Sequence, residues 1–300
     1  MKIVQGIQPG RPCVLALGTF DGIHRGHAAL LTETLRRAKE TQTEAAMCTF
    51  DRIPAAVLQP EKPIGMLMTT DERLHELERL GFDTVYLIHF DRETAAVTAE
   101  EFLLSLIEKI RPVCLVAGYD YRFGRNGLGT PEMLEQFGKQ YGFSVSIVPP
   151  VEMNGIRISS TGIRHELAAG NIRAANEQLG YDYSLTGTVV RGKGMGKSLG
   201  FPTANIDVPA EKQLPAYGVY ACELNWETQT ARAVVNIGLQ PTIPSGRVTV
   251  EAFIPGVEVD LLGREVRLDL KDRIREEKKF DSIDQLKEQI AKDIKTAGEL

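Results

Sequence analysis

Gly18-Thr19-Phe20-Asp21-Gly22-Ile23-His24-Arg25-Gly26-His27 decides how the first half of the chain is read. An apolar run over 14–18 leads into this stretch, and an amphipathic helical pattern over 27–41 leaves it. Gly22 and Gly26 permit tight turns and let a ligand approach the backbone closely. A helix that starts at such a turn presents unpaired N–H groups and the positive end of its dipole, which suits phosphate. His24 and His27 flank Gly26. Their imidazoles can grip triphosphate oxygens and stabilise charge growing there as a bond breaks. Two of only five histidines lie in this one turn, which favours ligand binding over two surface histidines at a helix cap. A metal site would want a third ligand. Asp21 is close, but His-x-x-His at a strand-to-helix turn suits a nucleotide better.

Outward from the turn the same alternation repeats. Strand-like runs at 14–18, 45–50, 84–90, 113–118 and 143–149 are separated by helical patterns at 27–41, 71–80, 99–110 and 131–141. That spacing predicts an α/β unit with a parallel sheet and crossover helices. Ligands of such sheets bind beyond the carboxyl ends of the strands, where Gly18, Phe50 and Gly118 stand. Two short helices are predicted at 160–169 and 171–179, the second stopped by Gly180. The texture then changes to short β-rich runs at 185–191, 218–226, 231–237, 248–254 and 265–270, punctuated by Gly and Pro. These predict a mostly β barrel or sandwich, followed by an amphipathic helix over 282–297 with Ser282 as its N-cap. The expected domains are 1–182 and 183–300, with the break near 181–184.

Composition sets the outer limits. A chain of 300 residues suits two domains. A content of 43% hydrophobic and 25% charged residues is that of a soluble globular protein. The net charge of −5 argues against a nucleic-acid binder without excluding a local phosphate site. Cys13, Cys48, Cys114 and Cys222 form no CxxC pair, so neither a zinc site nor a disulfide framework is expected. The first three lie in or beside apolar runs and read as core thiols, which fits a reducing, cytoplasmic compartment. No signal-peptide pattern opens the chain and no run of about 18 apolar residues occurs, so no membrane partner is expected.

Two further groups of residues draw attention. Ser159, Ser160 and Thr161 offer hydroxyl donors at a helix start, and Arg164 lies one turn on, able to reach the same anion. Gly192-Lys193-Gly194-Met195-Gly196-Lys197-Ser198 suggests a P-loop, but Arg191 stands where the first Gly of that motif belongs. Pro202 also follows where an uninterrupted helix would be needed. The loop suits phosphate in another way.

His24-Arg25-Gly26-His27 resembles the HxGH signature of nucleotidyltransferases, whose histidines bind the ATP phosphates during in-line transfer with release of pyrophosphate. The longer stretch 18–27 is similar to the opening motif of the bacterial bifunctional riboflavin kinase/FAD synthetases. Ala117-Gly118-Tyr119-Asp120-Tyr121-Arg122-Phe123-Gly124 resembles that family's second motif, and Ile158-Ser159-Ser160-Thr161-Gly162-Ile163-Arg164 its third. The stretch 187–205, ending in Gly200-Phe201-Pro202-Thr203-Ala204-Asn205, resembles the riboflavin kinase signature. Asn236-Ile237-Gly238-Leu239-Gln240-Pro241-Thr242 and Val250-Glu251-Ala252-Phe253 also resemble the kinase.

The resemblance implies a Rossmann-like nucleotidyltransferase followed by a kinase barrel. It implies His24, His27 and Arg164 as catalytic in the first. Gly18, Phe20, Asp21, Gly26, Asp120, Ser159, Ser160 and Thr161 would be its binding residues. In the second it implies Glu251 as catalytic base, Gly192, Lys197, Gly200, Pro202, Thr203 and Asn205 as nucleotide-binding, and Thr203 and Asn205 as holding Mg2+. Riboflavin, FMN and ATP would be the small-molecule partners and FMN and FAD the products, with weak homo-oligomerisation left open. The sequence differs from the family pattern at Arg52 and Ile53, where an inner Pro and a His are usual. It differs again at Ile254-Pro255, at Leu262, and at Lys197, where Arg is common. Three alternatives stand beside the bifunctional reading: an FAD synthetase whose kinase-like domain only binds flavin, another HxGH adenylyltransferase, and a non-enzymatic flavin sensor.

Overall fold

The computed structural model describes residues 1–192, 200–239, 248–257 and 259–299. They form two compact units, Met1–Ser160 and Thr161–Leu300.

The first unit is a parallel six-stranded sheet with crossover helices. Its strands are β1 (Lys2–Gln5), β2 (Cys13–Leu17), β3 (Glu44–Phe50), β4 (Thr84–Ile88), β5 (Cys114–Gly118) and β6 (Ser144–Val148), in the order β1-β4-β3-β2-β5-β6. The helices are α1 (Arg25–Thr41), α2 (Pro54–Leu58), α3 (Thr70–Leu80), α4 (Arg92–Ala96), α5 (Ala99–Lys109) and α6 (Pro131–Tyr141). Central strand β2 is buried along its whole length and feeds two cores by simple alternation. Val14 and Ala16 pack with Leu30 and Leu31 of α1 and Leu77 of α3. Cys13, Leu15 and Leu17 pack with Leu103 and Leu106 of α5 and Leu134 of α6.

Strand order reverses between β2 and β5, which pair directly through Leu15↔Leu115 and Ala16↔Val116. The crevice that opens beyond their carboxyl ends is where such sheets take ligands. Gly18 follows β2, and Gly118 ends β5. Helices α3 and α5 each begin with a reciprocal capping box, Thr69 with Glu72 and Thr98 with Glu101. A small antiparallel hairpin, β7 (Glu152–Met153) and β8 (Ile156–Arg157), closes the unit.

The second unit starts with α7 (Ser160–Ala169) and α8 (Ile172–Leu179). Its closed antiparallel barrel is built from β9 (Ser184–Val190), β10 (Thr203–Asp207), β11 (Gly218–Trp226), β12 (Gln229–Leu239), β13 (Val248–Phe253) and β14 (Glu265–Arg275). Helix α9 (Ile283–Glu299) follows. Register carries one apolar set around the inside: Val189 faces Ile206, Ile206 faces Val250, Ala252 faces Val235, Cys222 faces Leu270, and Leu268 faces Leu185. Asn176 of α8 ties that helix to the barrel. Its Nδ2 donates to the Leu270 carbonyl at 2.9 Å, and its Oδ1 accepts from the Tyr183 N–H at 2.8 Å. Arg275 of β14 holds both carboxylate oxygens of buried Asp293 on α9 at 2.8–3.0 Å.

Strand β10 was not among the predicted strands. Only Ile206 of its five residues is buried, so it carries no apolar alternation. It is a strand because β9 and β13 pair with it on either side. All four cysteines are free and buried.

Candidate active sites

The Gly18–His27 turn holds its histidines in one defined state. His24 caps α1 with extended backbone, and its Nδ1 accepts from the His27 N–H at 3.3 Å. An accepting Nδ1 puts the His24 proton on Nε2. The two imidazoles stack with ring centres 3.7 Å apart, and buried Phe20 meets His27 edge-on at 5.4 Å. The His27 side chain is half-buried, but its Nδ1 is sealed and without a hydrogen-bond partner. A bare lone pair suits that position better than an orphaned N–H, so the His27 proton also belongs on Nε2. Burial first, then His24 and Arg73, hold His27 well below the ordinary histidine pKa.

Glycine leaves this stack its close fit. A Cβ on Gly26 would stand 3.1–3.2 Å from the His24 ring, and one on Gly18 would stand 3.0 Å from the Phe20 ring. Between them the backbone is strained: Phe20 and Ile23 adopt φ of 53° and 34°. Left-handed backbone at bulky residues persists only where surrounding contacts impose it.

Those contacts come from elsewhere in the unit. The buried Asp21 carboxylate accepts the Leu67 N–H at 3.2 Å and the Met68 N–H at 3.1 Å. It therefore acts here as a staple between the turn and the segment leading into α3. Ser160 Oγ donates to the Asp21 carbonyl at 2.9 Å, across 139 residues. A Cβ on Gly26 would lie 4.0 Å from the Ile158 carbonyl. The first and third motifs thus meet at the start of α1, with half-buried Ser159 beside them. Thr161, exposed, and Arg164, half-buried, lie further along α7 in the second unit.

Asp120, just beyond β5, is exposed, and its carboxylate takes the Arg157 guanidinium at 3.2 Å. Arg157 also donates to the Tyr119 hydroxyl and lies 5.9 Å from that ring's centre. In the loop that departs from the family pattern, Asp51 Oδ2 is 2.6 Å from His89 Nδ1, and its Oδ1 accepts the Phe90 N–H at 3.0 Å. Ile53 is buried and precedes α2.

In the barrel, polar residues share one register row on the outward face. Asn205 of β10 stands opposite Glu251 of β13, which stands opposite Asn236 of β12, and all three are half-buried. Directly opposed residues have Cβ atoms about 4.5–5.5 Å apart. Thr203 lies two residues before Asn205, hence on the same face, opposite Phe253. Phe253 packs edge-on against Phe201 at 5.5 Å. Gly192 sits against the Asn205 amide so closely that a Cβ there would overlap Nδ2. Gly200, with φ of 89°, and Pro202 are exposed just ahead of β10. Lys197, with the rest of 193–199, and Gln240-Pro241-Thr242 lie outside the described residues.

Two participants carried no sequence signal as site residues. Asn236 was seen only as part of a longer motif. Arg73 falls in no motif, although a cation four residues before buried Leu77 places a charge on the buried stripe of α3.

A strained, histidine-bearing turn at the switch point of a parallel sheet defines a nucleotide-handling transferase of the α/β class, here joined in one chain to a barrel with its own polar row. Comparison with known proteins narrows the class. The FAD synthetase family matches residues 7–162 and the riboflavin kinase family residues 179–300. The bifunctional riboflavin kinase/FMN adenylyltransferase of Escherichia coli K12 is 38% identical across 100% of this chain and 97% of its own length. That of Listeria monocytogenes is 31% identical over 93% of this chain and 90% of its own. A solved structure described as a macrolide-efflux protein from Streptococcus pneumoniae is 32% identical, with a TM-score of 0.90 over the whole of both chains. Among the described residues here, no helix is long and apolar enough to cross a membrane. The chain belongs to the bifunctional riboflavin kinase/FMN adenylyltransferase family.

Proposed function

We infer that the chain runs two ATP-dependent reactions in series, phosphorylation of riboflavin to FMN and adenylylation of FMN to FAD with release of pyrophosphate. The observation that carries this reading is that each family match contains its own polar site: the histidine turn in the first and the Asn205–Glu251–Asn236 row in the second.

In the adenylylation an FMN phosphate oxygen attacks the α-phosphorus of ATP in line, and the bond to pyrophosphate breaks. His24 and His27, each with its proton on Nε2, donate to the phosphate oxygens as charge grows, aided by the N–H groups at the start of α1. Gly18, Phe20 and Gly26 shape the turn, and Asp21 holds it. Ser159, Ser160, Thr161 and Arg164 supply further donors to the phosphates, and Asp120, just beyond β5, is a further binding residue.

In the phosphorylation Glu251 takes the proton of the terminal ribityl hydroxyl as that oxygen attacks the γ-phosphate, and ADP leaves. Gly192, Lys197, Gly200 and Pro202 belong to the glycine-rich stretch of sequence that takes the nucleotide. Thr203 and Asn205 offer a hydroxyl and an amide oxygen on one face of β10. Such hard donors suit magnesium carried in with ATP, and among the described residues no group of three His, Cys, Asp or Glu side chains would hold a metal unaided. Magnesium bound there would neutralise phosphate charge. Four free, buried cysteines suit a reducing cytoplasm.

We place the working division at 1–182 and 183–300, later in the chain than the boundary between the two compact units at Ser160–Thr161. Incubation with riboflavin and Mg-ATP, followed by chromatographic separation of riboflavin, FMN and FAD, tests the reading. FMN and then FAD should accumulate, with pyrophosphate appearing alongside FAD. Neither product overturns the reading, and FAD only from supplied FMN reduces it to the synthetase alone.

A further inference from the structure

A fully buried guanidinium needs a reason, because an ion taken out of water is destabilising unless its donors are satisfied. Arg73 of α3 is 0% exposed. Its Nη1 donates to the Thr19 carbonyl at 2.6 Å, and its Nη2 donates to the carbonyl of Phe50. Thr19 lies just past the end of β2 and immediately before left-handed Phe20. Phe50 is the last residue of β3, the strand beside β2. One planar fork therefore spans the carboxyl ends of β2, which borders the crevice, and of its neighbour β3. Nearby bonds add to it: Thr49 Oγ1 donates to the same Thr19 carbonyl at 3.1 Å, and Thr70 Oγ1 donates to the Asp51 carbonyl at 2.9 Å. The Arg73 Nε is buried and without a partner. Its pKa is pushed down to about 10 by burial and supported by Asp21 and Asp51, so at neutral pH the group keeps its charge.

We propose that Arg73 is a positioning residue for adenylyl transfer: its buried fork fixes the backbone from which the His24–His27 turn rises. The inference rests on the adenylyl-transfer reading of the turn. The groups that act on His27 are its own burial, His24 within the turn and Arg73 from α3. The nearby carboxylates are engaged elsewhere, Asp21 on the Leu67 and Met68 amides and Asp51 on His89 and the Phe90 amide. A positive charge at Arg73 opposes protonation of His27. It thereby keeps His27 neutral, a donor through Nε2.

The test uses the full chain with Arg73→Met and Arg73→Lys, and two readouts. The first is FAD formation from FMN and Mg-ATP, with riboflavin phosphorylation by the same chain as internal control. The second is the titration of the His27 ring, followed by NMR and assigned with His27→Ala. Arg73→Met should lower kcat for FAD formation about 10²-fold, as a displaced reacting geometry does. It should leave FMN formation unchanged and move the His27 titration upward. Arg73→Lys keeps a charge and loses the fork, so it should lower kcat while leaving the His27 titration near wild type. FAD formation at the wild-type rate in both variants overturns the proposal. So does an unmoved His27 titration in Arg73→Met, which would leave Arg73 a merely structural ion. If Arg73→Met does not fold, Arg73→Lys decides: a lowered kcat with unmoved His27 titration supports the proposal, and a wild-type kcat overturns it. Wild-type chain that makes no FAD would instead remove the adenylyl-transfer reading, and the titration arm separates that result from failure of the Arg73 proposal.

Discussion

Around Glu251 the polar side chains are placed by regular register. Asn205, Glu251 and Asn236 face outward from three adjacent strands because their neighbours Ile206, Val250, Ala252, Val235 and Ile237 face inward. Around His24 they are placed by a turn that runs against local preference, with Phe20 and Ile23 in left-handed backbone. That turn is imposed from a distance, by Asp21 on the Leu67 and Met68 amides, by Arg73 on the Thr19 carbonyl and by Ser160 on the Asp21 carbonyl. A site set by register depends on the residues in its row. A site set by an imposed turn depends equally on residues that never meet the substrate.

The largest expected effect falls on the barrel row itself. Glu251→Gln is nearly isosteric but cannot take a proton, and riboflavin phosphorylation should fall roughly 10²- to 10⁴-fold, with riboflavin binding kept. Fluorescence titration and initial rates measure the two separately, and a normal rate would make Glu251 a surface carboxylate.

Next come the turn histidines. His24→Ala or His27→Ala should lower FAD formation roughly 10²- to 10³-fold, the loss expected for a preorganised donor. His24→Ala also removes the cap of α1, so it should lower stability by about 1 kcal/mol.

Asp293→Ala would leave Arg275 without its carboxylate. Because Arg275 is partly exposed, the second unit should lose about 2 kcal/mol, less than for a wholly buried pair. Calorimetry should show only the transition of that unit moving down.

Gly26→Ala sharpens the contrast further. Its backbone is not left-handed, so melting should barely change, yet the new methyl must displace the His24 ring by a few tenths of an ångström. About a 10-fold loss in FAD formation with unchanged FMN formation is expected.

The smallest effect is on pH. His27 sits below its unfolded pKa, so as pH falls below about 6.5 the unfolded chain takes up a proton that the folded turn refuses. The first unit should lose stability over that window. In the barrel, burial raises the Asp269 pKa, so its contribution runs the other way and grows as pH falls. Melting curves at pH 7.5 and 5.5 test the first, and curves carried down to about pH 4, near the ordinary carboxylate pKa, test the second.

The sheet of the first unit was legible because its strands are apolar runs and its helices are amphipathic, two periodicities that a sequence displays directly. Strand β1 was missed because its four residues are mostly exposed at the sheet edge, and β10 because its functional face is polar. The histidine turn was legible because Gly and His cluster there. Its support was not, since Arg73 and Asp21 bind backbone carbonyls and amides, and such partners leave no residue type to read. The Asn205–Glu251–Asn236 row was half-visible: its members stood in recognisable motifs, but their adjacency follows from a register that only the closed barrel defines.

The claim that two sites in two units carry two separate chemistries is tested most directly by crossing variants with substrates. Wild type, His27→Ala and Glu251→Gln are each given Mg-ATP with riboflavin or with FMN, and flavins are quantified by chromatography. Separate sites predict that His27→Ala accumulates FMN from riboflavin and makes almost no FAD from either substrate. They predict that Glu251→Gln makes almost nothing from riboflavin yet converts supplied FMN to FAD at the wild-type rate. Loss of both activities in either folded variant would contradict the assignment of one reaction to the turn and the other to the barrel row.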